Sequence, residues 1–330
     1  MILNPAILAL FVSSALISGM LVFSSSWAVV LLRTWDLRSG SELQLSLERR
    51  TYLLSTILNC VFAFQLLSLF LFLVTADRLC PLFAGAMCAA GTLNANGFGY
   101  PTVLLKIVNF LLAGAWLVLH HADTWAYDYP LLKAKYALLL VLTPLVLVEA
   151  FLQAGFFLNL QPDLITSCCG SLFGDTGKTL ASNLASFPIG PMRLVFFGSV
   201  AVTLGLGAWH VRTGAGSYLF AASSLGTFVV SVAALLSFVS IYIYELPTHH
   251  CPFCILQSGY HSIGYPIYLA LLGGAVFGLG VGILAPFRKV PSLAVSLPAL
   301  QRRLALLSCF CYAAFAAVAA WKMVFTDFRP

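Results

Sequence analysis

Eight stretches of this chain, near Ala6–Leu32, Tyr52–Thr75, Pro101–Leu119, Tyr136–Leu160, Leu194–Trp209, Tyr218–Leu246, Pro266–Phe287 and Leu304–Val324, are predominantly apolar. Each is close to the length, roughly 20 residues, that a helix needs to cross a bilayer. Hydrocarbon offers backbone N–H and C=O groups no water, so such stretches must close their hydrogen bonds within helices. Charged residues make up only 8% of the 330 and apolar ones 61%, whereas roughly a quarter of a soluble domain is charged. The pattern predicts an all-α, polytopic integral membrane protein of about eight transmembrane helices, with its chemistry in loops or between helices and lipid as its surroundings. The N-terminus, Met1-Ile2-Leu3-Asn4-Pro5, has no basic residue before its apolar run and reads as part of the first span, not as a cleavable signal peptide.

The links after the first, third, fifth and seventh stretches hold eleven basic residues: Arg33, Arg38, Arg49, Arg50, Lys133, Lys135, Arg212, Arg288, Lys289, Arg302 and Arg303. The opposite side holds five: Arg78, Lys178, Arg193, Lys322 and Arg329. Because basic loops stay in the cytoplasm, the first set is expected inside and both termini outside. A charge excess distributed in this way answers to membrane insertion, and nucleic acid is not an expected partner. Trp27, Trp35, Trp116, Trp125, Trp209 and Trp321 fall near the ends of stretches, where an aromatic belt meets the headgroups.

That orientation places six of the nine cysteines as pairs on the outer side. Cys80 and Cys88 follow the second stretch, Cys168 and Cys169 the fourth, and Cys251 and Cys254 the sixth. Cys60, Cys309 and Cys311 sit inside stretches, where cysteine usually acts as a small hydrophobe. In a bacterial inner membrane, the expected location, the outer face is the periplasm, where disulfides persist.

The densest chemistry lies in Thr248-His249-His250-Cys251-Pro252-Phe253-Cys254, with His261 shortly after it. A C-x-x-C with flanking histidines serves thiol–disulfide exchange or metal ligation, since the thiolate is both nucleophile and ligand. Pro252 suits the first turn of a helix. Cys251 is therefore expected to cap a short helix, whose dipole and neighbouring imidazolium would favour the thiolate. Cys80 and Cys88 lie among Pro81, Gly85 and Gly91, on a loop suited to swing between a soluble partner and the core pair. The adjacent Cys168 and Cys169 suit either a strained, easily reduced disulfide or, when reduced, a soft-metal site.

Two loop–helix junctions echo one another: Gly99-Tyr100-Pro101 after Cys88, and Gly264-Tyr265-Pro266 after Cys254. They lie four spans apart, an interval that preserves orientation and suits a tandem duplication of four-helix units, with halves 1–190 and 191–330. Gly274, Gly278 and Gly282 recur every four residues, a stripe that lets a second helix approach closely. Glu149 and Lys106 fall within apolar stretches, where an ionisable group costs about 2.5–3.5 kcal/mol on insertion scales. They are candidates for a structural ion pair or a proton relay. His120, His121 and His210 stand at the ends of stretches, so no transmembrane haem is expected, because its histidines lie inside the bundle.

Leu246-Pro247-Thr248-His249-His250-Cys251-Pro252-Phe253-Cys254-Ile255-Leu256, at the outer end of a span, resembles the C-x-x-C of the vitamin K epoxide reductase family and of the bacterial quinone-linked disulfide-bond-forming oxidoreductases. Cys80 and Cys88, ahead of Gly99-Tyr100-Pro101, resemble that family's shuttle cysteines. The resemblance implies a four-helix bundle that oxidises thiols and passes the electrons to a membrane quinone. It would make Cys251 and Cys254 the quinone-proximal pair and Cys80 and Cys88 the relay. The partner would be a periplasmic thioredoxin-like or other thiol protein. The chain departs from that family in its number of spans, in the Cys168-Cys169 pair, and in Gly259, Gly264 and Pro266, which separate the C-x-x-C from the seventh span.

Other readings stand beside this one. His249, His250, Cys251, Cys254 and His261 have the donors to hold copper or zinc, with Cys168 and Cys169 as an entry site. Cys60, Cys309 and Cys311 would serve as an electron conduit if they met. A scaffold or assembly subunit with disulfide-stapled outer loops is the remaining alternative.

The orientation is open to direct test. Cysteines introduced at Arg38 and Ser296 are expected to be shielded from an impermeant thiol reagent in intact cells, and one at Asp175 to label in a background lacking the outer cysteines. Labelling of the Ser296 site from outside would overturn it.

Overall fold

The computed structural model describes residues 3–35, 42–161, 165–166 and 187–326, the side chains at 43 and 45 excepted. Its helices in chain order are α1 (Pro5–Thr34), α2 (Glu42–Arg78), α3 (Ala89–Leu93), α4 (Gly99–Asp123), α5 (Leu132–Leu158), α6 (Ile189–Thr213), α7 (Ser217–Ala234), α8 (Ser240–Tyr244), α9 (Gly264–Leu284) and α10 (Ser296–Phe325). A π-helical turn, Leu235–Val239, joins α7 to α8 without a break. Among the described residues eight helical segments are long and apolar enough to cross a membrane, one at each expected stretch. That fits an integral membrane protein. Several run well beyond the apolar stretches, as α10 does at its start; α1 begins one residue ahead of its stretch, with Pro5 in the first turn and Asn4 Oδ1 accepting from Ala6 N–H at 3.0 Å. Gly99-Tyr100-Pro101 and Gly264-Tyr265-Pro266 each open a helix, α4 and α9.

The chain divides into two compact units. The first comprises Met1–Phe72, Gly97–Leu160 and Ile283–Leu300. Here α1 runs antiparallel to α5, with Ser25 Oγ 2.6 Å from Thr143 Oγ1 and Gln153 Nε2 donating to Ser14 Oγ at 2.8 Å. Helix α4 packs on α5 as well, and the charges meet in their buried interior. Lys106 Nζ lies 2.6 Å from Glu149 Oε1 and donates to Ser68 Oγ at 3.2 Å. Asn109 Nδ2 and Gln65 Nε2 donate to Glu149 Oε2 at 2.6 and 2.7 Å. The carboxylate is thus held by three donors, as a charge removed from water must be.

Two expectations from the sequence change in this unit. Trp116 is wholly buried, 4.7 Å from Phe62 between ring centres, and its Nε1–H donates to Lys135 O at 3.1 Å. It belongs to the core and not to an aromatic belt, because its indole finds a carbonyl partner inside. Lys135 is likewise buried and paired with Asp123 at 2.8 Å, so it adds no solvated charge to its loop.

The second unit comprises Leu73–Asn96, Gln161–Gly282 and Gln301–Pro330. Gly214, at φ +70, ends α6 in the left-handed conformation that glycine adopts without strain, and its N–H donates to His210 O at 2.7 Å. The chain thereby turns back so that α7 packs on α6, with Thr203 Oγ1 2.8 Å from Thr227 Oγ1. The glycine stripe of α9 is a helix contact. A Cβ on Gly278 would lie 2.0 Å from Ser224 Oγ, one on Gly282 2.5 Å from Ala221 Cβ, and one on Gly274 3.1 Å from the Tyr312 ring.

The ion pair in the first unit predicts strong coupling. Removing one partner strands the other charge, at a cost of about 3–5 kcal/mol. Lys106→Met is therefore expected to lower the thermal midpoint in detergent sharply, and adding Glu149→Gln to recover most of the loss. Losses that simply add would show that the two do not act as a pair. A proton relay through Glu149 predicts another signature, lost turnover in Glu149→Gln at an unchanged midpoint.

Candidate thiol site

All parts of the site belong to the second unit. The π-turn and α8 lead to Glu245, whose left-handed φ of 58° ends the helix. The irregular segment that follows carries the C-x-x-C to a 3₁₀ turn, Cys254–Leu256, and on through another at Ser258–Tyr260 to α9. On the other side, α2 gives way to a 3₁₀ turn at Cys80–Leu82, then to a bend at Gly85, φ +85, where a Cβ would lie 2.7 Å from Thr166 O. The chain then reaches Cys88, extended at φ −159°, which stands at the N-cap of α3.

These segments bring together sulfurs far apart in sequence. Cys88 Sγ lies 3.5 Å from Cys251 Sγ, and the sulfurs of Cys88, Cys251 and Cys254 all lie within 4.8 Å of one another. All three residues are buried, Cys88 and Cys251 at 0% exposure. Cys80 is partly exposed at the start of its turn and is not in the group. Cys168 and Cys169 lie outside the described residues.

The histidines take other posts, and none belongs to the group of three thiols. His250 Nδ1 lies 2.9 Å from Leu236 O, in the π-turn; since a carbonyl only accepts, Nδ1 carries the hydrogen. His249 stacks edge-on against Tyr244 at 4.5 Å, and its buried Nε2 has no partner within the described residues. His261 sits in a left-handed turn, φ 54°, after the second 3₁₀ turn.

The expected cap changes too. The turn begins at Cys254, with Phe253 at its N-cap, so Cys251 does not cap a helix. A turn of three residues also lacks the aligned peptides that make a macrodipole. Instead Phe253 N–H donates to Cys251 Sγ at 3.4 Å. Imidazolium support is weakened as well, because burial holds His249 below its ordinary range; nearby Cys88 pulls it upward and His250 downward. Tyr260, the next aromatic residue, is raised by burial and then by charge on Cys254 and Cys251.

Three side chains outside the motifs shape the site. Tyr244 Oη donates to Cys251 O at 2.5 Å and Tyr268 Oη to Pro252 O, so two carbonyls of the C-x-x-C are satisfied by phenols. Asp77, in the last turn of α2, accepts from Ala89 N–H, next to Cys88. One signal could have marked Asp77 in the sequence: it is a carboxylate closing an apolar run, shortly before a cysteine. The intramembrane cysteines of the unit have packing roles. Cys309 Sγ fills the place beside Gly207 of α6, 2.3 Å from where a Cβ would stand, while Cys311 Sγ faces Gly273 of α9.

Buried thiols at this spacing can do two things. A thiolate can attack a disulfide sulfur, or three thiolates can close on one soft cation. Comparison with protein-family models, with curated proteins and with solved structures finds no match to this chain.

The His249 environment has a pH consequence. Its folded-state pKa lies below the ordinary 6.5, so as pH falls under that value the unfolded chain takes the proton first and stability is lost. The thermal midpoint is expected to drop below about pH 6.5, and less steeply in His249→Gln. Equal slopes for the two proteins would remove His249 from the cause.

Proposed function

We propose that this protein is an integral membrane thiol–disulfide oxidoreductase that takes electrons from thiols on the outer face and delivers them to a membrane quinone. The observation that carries the reading is the 3.5 Å approach of Cys88 Sγ to Cys251 Sγ, with Cys254 in the same group. Exchange needs sulfur in contact with sulfur, and the approach of Cys88 to the C-x-x-C supports the relay role that a resemblance to the vitamin K epoxide reductase family would give it. The basic asymmetry, ten to five once the buried and paired Lys135 is set aside, supports both termini outside, with the site at the periplasmic face of a bacterial inner membrane.

In the exchange, Cys251 and Cys254 start as a disulfide. The Cys88 thiolate attacks Cys251 Sγ, the Cys251–Cys254 bond breaks, and its electron pair leaves on Cys254 as thiolate. Cys80, which must travel to make contact, then attacks Cys88; a Cys80–Cys88 bond forms and Cys251 leaves as thiolate. The two protons lost by the loop thiols match the two the core pair takes up. A thioredoxin-like or other thiol protein re-reduces the loop pair. Cys254 lies in an apolar cluster with Ile255 and Ile267, against which Tyr260 packs, surroundings whose chemistry suits a quinone ring. When bound, that quinone supplies the sink for two electrons and two protons.

The geometry chooses which variant traps the intermediate. Cys80→Ser keeps the Cys251–Cys254 disulfide as the bond that Cys88 attacks and removes the resolving thiol, so it is expected to accumulate a Cys88–Cys251 bond, read as a linked peptide after digestion without reductant. Cys251→Ser removes the attacked sulfur and should trap nothing at Cys88. A trap absent from the first variant ends the oxidoreductase reading.

A second reading rests on the same three sulfurs. Three thiolates within 4.8 Å suit a soft cation such as copper(I) or zinc, with Cys88 as a ligand in place of the histidines. It predicts stoichiometric metal in the purified protein, lost on each single Cys→Ser change, and no trapped bond.

A further inference from the structure

We infer that Asp77 and Gln257 form a latch that holds the Cys88 segment in exchange position against the C-x-x-C, an inference that rests on the proposed thiol chemistry for its purpose but not for its geometry. Gln257 Nε2 donates to Asp77 Oδ1 at 3.0 Å and to Met87 O at 2.9 Å. The amide has two N–H donors, and both are used. Asp77 Oδ1 also accepts from Ala89 N–H at 3.2 Å. Met87 and Ala89 are the chain neighbours of Cys88, so the peptide groups on both sides of the nucleophile are fixed.

The two residues come from the segments that must stay in register. Asp77 lies in the last turn of α2, and Gln257 directly follows the turn Cys254–Leu256. The latch therefore ties the α2 end, the Cys88 segment and the C-x-x-C segment to one another through three hydrogen bonds. It also does what Cys88 cannot. Cys88 stands at the N-cap of α3 and makes no capping bond, so the first amide of that helix depends on the Asp77 carboxylate. Residues 77 and 257 are positioning residues: their hydrogen bonds run to each other and to the peptide groups beside Cys88.

The shape of the contact explains a feature of the site that the thiols alone do not. Two buried sulfurs attract one another only weakly and without much direction, whereas exchange requires them in contact along a set line. The directional bonds of the latch supply what the sulfurs lack.

The test uses the full chain with Cys80→Ser and Cys254→Ser, in detergent, and follows oxidation by diamide, which joins Cys88 to Cys251. Gln257→Leu and Asp77→Leu are each expected to slow that bond by about tenfold or more, the scale of losing hydrogen bonds to a charged group. Asp77→Asn keeps an amide oxygen that accepts from the same two donors and is expected to stay within about threefold of the parent, since it loses only the charge. Thermal midpoints report folding; Gln257→Ser, too short to reach, replaces Gln257→Leu if the latter fails to fold. Unchanged rates in the Leu variants, or a loss in Asp77→Asn as large as in Asp77→Leu, overturn the latch. So does failure of the parent to form the bond at all. If the wild-type protein oxidises no thiol substrate while the Leu variants still slow the bond, the function falls and the latch stands.

Discussion

An unpaired peptide group in an apolar interior costs several kcal/mol, and this constraint governs both the helices and the places where they stop. Along the long segments the chain answers it with intrahelical bonds. Around Cys88 and Cys251 the helices give way, and side chains take over the task. Phenols of Tyr244 and Tyr268 bond Cys251 O and Pro252 O, Gln257 bonds Met87 O, Asp77 accepts from Ala89 N–H, and His250 bonds Leu236 O in the π-turn. Polar residues that look like catalysts in the sequence thus have a prior duty to the backbone. His250 is the clearest case, since its Nδ1 hydrogen is committed to a carbonyl.

That duty also explains why sulfur sits at the centre. A thiol is a weak donor and acceptor and can be buried as a small hydrophobe, so three of them can share a dry cluster without the partners that three carboxylates or imidazoles would demand. The same dryness favours the neutral thiol over the thiolate. With no helix dipole at Cys251 and His249 pushed below its ordinary range by burial, those two supports for a thiolate are weak. Phe253 N–H donates to Cys251 Sγ at 3.4 Å, and a backbone amide stabilises negative charge most when that charge is present. On the proposed exchange chemistry, such a site would hold sulfurs in position and form the anion as a bond changes.

Much of the fold was legible because the length of an apolar run follows directly from the need to bond every peptide group. Runs such as Pro101–Leu119 became longer helices, here α4, since polar ends such as His120 and Asp123 continue a helix that hydropathy alone would close. The residues Cys251 and Cys254 were legible from spacing, and Cys88 from its place in a loop on the same predicted face. Their contact was not, because 163 residues separate Cys88 from Cys251 and local pattern says nothing of such pairings. Trp116 and Lys135 depart from expectation for one reason: position near a span end does not decide exposure where a carbonyl or a carboxylate partner inside the first unit makes burial possible. Asp77 and Gln257 carry no motif at all. Two of their three bonds run to peptide groups, which every residue has, so beyond the carboxylate that closes the apolar run the sequence does not show which groups they meet.

The weak pull between sulfurs bears on the choice between redox and metal chemistry. A soft cation would itself help to organise three thiolates, so directional supports such as the Asp77–Gln257 contact would tune its binding without being the sole organiser. Exchange has no such organiser, because the covalent bond exists only in one of the two states and the contact must be kept in the other. A polar scaffold that grips both neighbours of Cys88 while leaving the sulfur itself uncommitted to any cap is what the second situation requires. The supports around the thiols, more than the thiols themselves, are the reason to favour electron exchange.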